Sequence, residues 1–194
     1  MRVLLTGHQG YLGSITAPVL RSRGHDVVGL DTSYYEGCDL YGAEPPAEER
    51  RADVRDLRPE DLRGFDAVVH LAALSNDPLG AFDPELTAAI NHRGSVELAR
   101  SARVAGVERF VFASSCSMYG AADLSELVTE EAPLVPLTPY AESKVRAEEA
   151  LAGLAATTSL RSSCGMQLST ASHRAFARTS CSITSWAGRS RRVR

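Results

Sequence analysis

The chain has 194 residues, 44% hydrophobic and 23% charged, with a formal net charge of −3. It is long enough to bury one core, holds no apolar run of membrane-spanning length, and has a first apolar stretch too short for a signal peptide. The four cysteines, Cys38, Cys116, Cys164 and Cys181, lack metal-ligand spacing, so the expectation is a cytoplasmic globular protein in a reducing compartment, with no metal and no membrane partner.

Met1 to Thr6 contains Val3-Leu4-Leu5, a short apolar run expected for a parallel strand buried on both faces. Glycines follow at 7, 10 and 13. The first permits a tight turn, the second lets backbone approach a pyrophosphate, and the third lets the next helix pack close to the strand. That helix, predicted over Tyr11 to Arg23, would aim its unpaired amides and positive dipole end at the phosphates. Gly24 ends it, and His25 to Asp31 reads as a second strand closing on an acid. Asp31 falls about 20 residues beyond the glycine turn, where a carboxylate bonds ribose hydroxyls and repels a 2′-phosphate, which favours NAD over NADP.

Further along, Tyr140-Ala141-Glu142-Ser143-Lys144 places a phenol and an ammonium four residues apart, on one face of a helix. A hydroxyl cannot lose hydride unless its proton also leaves, so a base must stand beside the reacting carbon. A phenol with a pKa near ~10 is a poor base at neutral pH, and a neighbouring ammonium is expected to lower it. Tyr140 is the candidate base and Lys144 the source of the charge.

The run Thr6-Gly7-His8-Gln9-Gly10-Tyr11-Leu12-Gly13 together with Tyr140 and Lys144 resembles the extended short-chain dehydrogenase/reductase family, and within it the NAD-dependent nucleotide-sugar epimerases and dehydratases. The resemblance implies an α/β fold, a Rossmann-like doubly wound parallel sheet with helices on both faces. It also implies that Gly7, Gln9, Gly10, Tyr11, Leu12, Gly13 and Asp31 hold the cofactor. Ala52-Asp53-Val54 matches the family's adenine contact, Asp53 and Val54. Phe65 to Ala73 matches a fourth strand ending in a His-x-Ala-Ala turn, so that Leu71, Ala72 and Ala73 lie under the cofactor, and Asn91-His92-Arg93-Gly94 matches the family's Asn-x-x-Gly. Val107 to Ser115 reads as a fifth strand running into Cys116-Ser117-Met118-Tyr119-Gly120, which resembles the active-site segment and makes Ser115 the hydroxyl that orders the substrate. Ser114 and Ser117 can equally finish the strand and cap the turn, and His70 reads as a core histidine satisfied by backbone. Asn91 either orients backbone near the site or bonds across its helix.

The sugar 4,6-dehydratases of this family carry an acidic pair where this chain has Cys116 and Ser117. The resemblance therefore implies a 4-epimerase of a UDP- or dTDP-hexose, working through a 4-keto intermediate with NAD unchanged overall. The alternatives are a nucleotide-sugar dehydratase, an NAD(P)-dependent sugar reductase, and a non-catalytic NAD-binding module. Ser75 to Gly80 would form a loop beside the cofactor that either meets the sugar or makes no ligand contact. The partners implied are the nucleotide-sugar and a second copy, paired through the helices 88–105 and 139–154; nucleic acid is disfavoured.

The last 44 residues differ in kind. All 24 acidic residues and 14 basic ones precede Leu151, whereas 151–194 has seven Arg, nine Ser and no acid, so the net charge swings from −10 to +7. One reading is a disordered basic tail for nucleic acid or membrane. A shifted reading frame explains more. Starting each codon of 162–174 at its third base permits V-L-R-N-A-T-V-Y-G-V-S-P, which resembles the family's sixth strand and the segment after it. In that frame Met166-Gln167 compels Ala and Trp186-Ala187 compels Gly. The expectation is an NAD-binding domain over 1–154 carrying the Ser/Tyr/Lys set, then an out-of-frame segment over 155–194, with the sixth strand and most of a substrate domain missing. Such a chain is expected to bind NAD weakly and not to turn over sugar.

Overall fold

The computed structural model describes residues 1–38, 46–75, 77–120, 132–157 and 167–171. Its centre is a parallel sheet in the order β3-β2-β1-β4-β5-β6, made of β1 (Arg2–Thr6), β2 (Asp26–Asp31), β3 (Glu48–Arg51), β4 (Ala67–His70), β5 (Arg109–Ala113) and β6 (Gln167–Ala171). The helices between them are α1 (Tyr11–Ser22), α2 (Asp77–Phe82), α3 (Pro84–Thr87), α4 (Ser95–Ala105) and α5 (Pro139–Thr157). Parallel neighbours need such crossovers, because each strand must return to the same end of the sheet before the next begins.

Side chains of β1 alternate between two cores, as the period of a strand requires. Leu4 packs with Val28, Val68, Phe110 and Phe112 beneath Leu98 and Ala102 of α4 and Ala147 and Leu151 of α5. Val3 and Leu5 point the other way, with Val27 and Ala67, onto Ala17 and Leu20 of α1. A strand buried on both faces has no polar side, which is why Val3-Leu4-Leu5 is continuously apolar. All the parallel strands point their carboxyl ends to one edge, and the order turns there between β1 and β4. In an open α/β sheet that crevice is where ligands bind.

Four elements differ from the sequence reading. The loop expected over Ser75 to Gly80 is helical from Asp77 on, as the start of α2. β3 is Glu-Glu-Arg-Arg, with no apolar period to announce it; it is an edge strand, where charge guards against unwanted pairing. The helix predicted over 88–105 opens as a π-helical stretch, Ala88–Gly94, before α4. The sheet also has six strands rather than five. Gln167–Ala171 runs parallel to β5, Phe110 opposite Leu168 and Phe112 opposite Thr170. The outer edge of β5 presents unpaired amides and carbonyls, and an extended segment following α5 satisfies them. The rest of 158–194, with Cys164, Cys181 and Trp186, lies outside the described residues, as does Asn76.

Candidate active site

The glycine turn is built by close approach. Gly7 has φ +74°, and a Cβ there would stand 2.7 Å from the Ala72 amide nitrogen. Leu71, Ala72 and Gly7 are thus brought together at the carboxyl ends of β4 and β1. Gly10 takes the N-cap of α1 in extended conformation, with no side-chain cap, and the first turn of that helix carries no acid. Its terminal amides and positive dipole end are left for an external anion. Tyr11 and Leu12, the first two residues of α1, are exposed at that end. Asp31 ends β2 and accepts from the Gln9 amide and from the Ser33 amide, both at 3.1 Å. One carboxylate therefore pins the turn and the loop after β2.

The structure also brings Ser115, Tyr140 and Lys144 together, at the carboxyl end of β5 and on the first turns of α5. Ser115 is close enough to the Tyr140 phenol to favour its ionised form, and its Oγ lies 2.9 Å from Ser117 Oγ. Lys144 is buried; its Nζ donates to the Ala113 carbonyl at 2.9 Å, sits 4.7 Å from the Phe112 ring centre and 5.8 Å from that of Tyr140. Burial pulls the Lys144 pKa down to about 8. Tyr140 moves upward instead of downward as expected: burial dominates, Asp77 and Cys116 add to it, and the Ser115 hydrogen bond opposes it. An ammonium 5.8 Å from the ring centre, held against a carbonyl and another ring, does not outweigh the loss of water around the phenol.

The model of the NAD dependent epimerase/dehydratase family matches residues 3–189. The chain belongs to that family. It is 37% identical over 158 residues to the UDP-glucose 4-epimerase of Mycolicibacterium smegmatis, covering 76% of this chain and 49% of that protein. With the enzyme of the same name from Streptomyces lividans it shares 34% over 167 residues, 82% of this chain and 49% of that one. The chain thus spans about half the length of the relatives it matches. Among solved structures, DesIV, a dTDP-glucose 4,6-dehydratase from Streptomyces venezuelae with NAD and TYD bound, superposes with a TM-score of 0.75 at 31% identity over 88% of this chain and 55% of that one. The Thermus thermophilus UDP-glucose 4-epimerase complex with NAD gives 0.73 at 31%, over 88% and 54%.

Several family positions have roles the sequence left open. His70 is buried and satisfied by hydroxyls, not by backbone: Nδ1 lies 2.7 Å from Thr6 Oγ1 and Nε2 lies 2.9 Å from Ser95 Oγ. Ser95 spends its single proton on the Asn91 carbonyl at 2.7 Å, so Nε2 must carry the imidazole proton and Nδ1 accepts from Thr6. Thr6 Oγ1 in turn accepts from the Ala72 amide at 3.3 Å. Asn91, on the π-helical stretch, accepts from the Leu74 amide at 2.9 Å and donates to the Leu74 carbonyl at 3.0 Å and to Ser143 Oγ at 3.2 Å. It orients backbone after β4 and ties that loop to the helix of Tyr140, which resolves the two readings of this residue. Ser114 donates to Met118 Sδ at 3.3 Å, a bond within the turn.

After β3, Asp53 caps the short turn Val54–Asp56 and is held by the Arg55 guanidinium at 2.7 Å, which keeps its carboxyl below the usual range. The Val54 side chain is in the core, so its backbone alone is free to meet a ligand. Ala73 follows Ala72 on the same half-buried turn.

Sequence reasoning gave no role to His8. The buried His8 ring lies over Gly29, where a Cβ would stand 2.6 Å from Cγ, and its Nε2 meets Glu49 Oε1 at 3.1 Å. The signal was Gly29 inside an otherwise apolar strand. Cys38 and Cys116 are free and exposed, and no group of three metal-ligating side chains occurs among the described residues. No helix among them is long and apolar enough to cross a membrane.

Proposed function

We propose that this chain is the dinucleotide-binding and catalytic half of an NAD-dependent nucleotide-sugar 4-epimerase. The observation that carries the reading is the convergence of Ser115, Tyr140 and Lys144 at the same edge of the sheet as the glycine turn, with a thiol and a hydroxyl, Cys116 and Ser117, where a dehydratase has its acids. The residues fit the cofactor. Side chains at Gly7 and Gly13 would collide with backbone, and the uncapped end of α1 is suited to a diphosphate. Gly7 to Gly13 would hold the pyrophosphate, Asp31 the adenosine ribose, the 53–54 segment the adenine, and Leu71 to Ala73, Asn91, Tyr140 and Lys144 the nicotinamide end. NAD, when bound, supplies a reversible hydride acceptor.

This chain's own residues manage the proton. Tyr140 takes the proton of the sugar 4-hydroxyl as the C4 hydride leaves, and gives it back when hydride returns to the other face. Ser115 holds the same oxygen in line. Lys144 lends its charge to the phenolate side of that exchange, although burial keeps the lysine itself easily deprotonated. The sugar and the nucleotide are carried over from relatives named UDP-glucose 4-epimerase. With β6 in place, a chain half their length is expected to turn over slowly rather than not at all.

Two measurements test this. Calorimetric titration should find NAD preferred to NADP. Incubation of concentrated protein with UDP-galactose and NAD, read by NMR of the sugar, should give the 4-epimer without net NADH. A 4-keto-6-deoxy product would move the assignment to dehydratase, net NADH to reductase, and failure to bind NAD at all would sink it.

A further inference from the structure

The short helix α2 packs directly on the segment that carries Tyr140. A Cβ on Gly80 would stand 2.9 Å from the Tyr140 Cβ and 3.3 Å from its amide nitrogen, so the two backbones meet at the tyrosine itself. Two residues before it, the Thr138 hydroxyl donates to Asp77 Oδ1 at 2.5 Å and accepts from the Ala141 amide at 3.1 Å. Asp77 thereby grips the cap of the catalytic helix. The groups that act electrostatically on the phenol are the Asp77 carboxylate of α2 and the Ser115 hydroxyl and Cys116 thiol after β5, while the Lys144 ammonium of α5 stands 5.8 Å from its ring centre.

We propose that Asp77 is a positioning residue for Tyr140: tied to Thr138, its carboxylate fixes the start of α5 and sets a negative charge on the side of α2 that packs against Tyr140. The inference rests on the reading of Tyr140 as the proton carrier of an epimerase, and it gives α2, within a segment that the sequence reads as a loop, a task toward the protein rather than toward the sugar. The charge has a use in that reaction. One side chain must accept the hydroxyl proton as phenolate in the first half and return it as phenol in the second, and an anion nearby favours the return by disfavouring the phenolate. The upward displacement of the Tyr140 pKa, to which Asp77 contributes after burial, agrees with this.

The test is a titration of the Tyr140 phenol in the 194-residue chain without cofactor or sugar, read as near-ultraviolet phenolate absorbance minus that of Tyr140→Phe. Asp77→Asn keeps an oxygen for Thr138 and removes the charge. It is expected to lower the Tyr140 midpoint by on the order of half a pH unit or more while the melting temperature holds. Thr138→Val, which cuts the tether, should move the midpoint in the same direction by less, and it decides the matter if Asp77→Asn does not fold. Cys116→Ser measures the share of the thiol. An unchanged midpoint in Asp77→Asn, or in Thr138→Val where that variant must decide, overturns the proposal. Because no turnover is read, absence of epimerase activity would remove the reaction and leave the Asp77 result standing.

Discussion

Gly13 and Gly7 face each other so closely that a Cβ on Gly13 would lie 2.1 Å from the Gly7 carbonyl oxygen and 2.5 Å from the Cα of His8. Both obstacles are backbone, so neither can swing aside. Gly13→Ala should displace the turn and cost on the order of 3 kcal/mol of stability, at the upper end of overpacking penalties, with loss of NAD binding. Gly153→Ala is the control: it lies within α5, its Cβ meets nothing within 4 Å, and replacing a helical glycine should add about 0.5–1 kcal/mol. Urea unfolding of the two variants checks both signs at once.

How much of this was legible beforehand follows from where the signals reside. Gly7, Gly10, Gly13 and Asp31 were readable because strand, turn, helix and acid are consecutive in the chain, and each leaves a local mark. β3 was not, because Glu48 to Arg51 is stabilised at its edge by charge: Arg2 and Arg50 both reach Glu48, and their guanidinium groups stand 5.0 and 5.3 Å from the Phe65 ring centre. Asp77 and Thr138 are 61 residues apart and meet only once α2 lies on α5. The π-helical stretch that turns Asn91 inward has no periodicity to betray it. β6 reads in the sequence as a missing strand because its composition is foreign to the rest, yet pairing asks only for an extended backbone at the edge of β5.

His70 offers a pH test. Its Nδ1 accepts from Thr6, and burial with the nearby Lys144 charge lowers its pKa from 6.5 to about 3. The unfolded chain therefore binds a proton that the folded one refuses. The stabilisation is complete above pH 6.5 and is lost as pH falls from there toward about 3. The slope attributable to this group is at most ~1.4 kcal/mol per pH unit. His25 and His92 are also lowered, so the informative quantity is the difference between the unsubstituted chain and His70→Gln. As pH falls, the denaturant midpoint of the unsubstituted chain should drop more steeply than that of His70→Gln; parallel curves would contradict the assigned burial.

Lys144 is the opposite case, a charge kept inside at a cost. Its folded pKa, about 8, lies below the ordinary 10.5, so its contribution to stability is full only above pH 10.5 and is lost as pH falls through 8. Lys144→Met removes the buried ammonium and forfeits one hydrogen bond to the Ala113 carbonyl, worth about 1 kcal/mol. Relief of the charge should exceed that loss near neutral pH, giving a net gain on the order of 1 kcal/mol that disappears in alkali. Melting temperatures at pH 7 and pH 10 would show it, alongside loss of nicotinamide affinity. A variant less stable than its parent at pH 7 would mean the ammonium is better compensated than its surroundings suggest.

Asp31 carries two tasks that a single substitution can separate. Its oxygens accept from the amides of Gln9 and Ser33, so the carboxylate shapes the glycine turn as well as standing where an adenosine ribose would lie. Asp31→Asn retains one acceptor and turns the other into a donor facing an amide, which costs about 1–3 kcal/mol for the unsatisfied group. It also removes the charge that repels a 2′-phosphate. NAD affinity should therefore fall roughly 10-fold or more, by the energy of that lost pairing, while NADP affinity falls less or rises. The ratio of the two dissociation constants, measured by titration, isolates the electrostatic part, because distortion of the turn weakens both cofactors alike. If that ratio does not move, Asp31 serves the turn alone and the preference for NAD must be sought in the loop after β2.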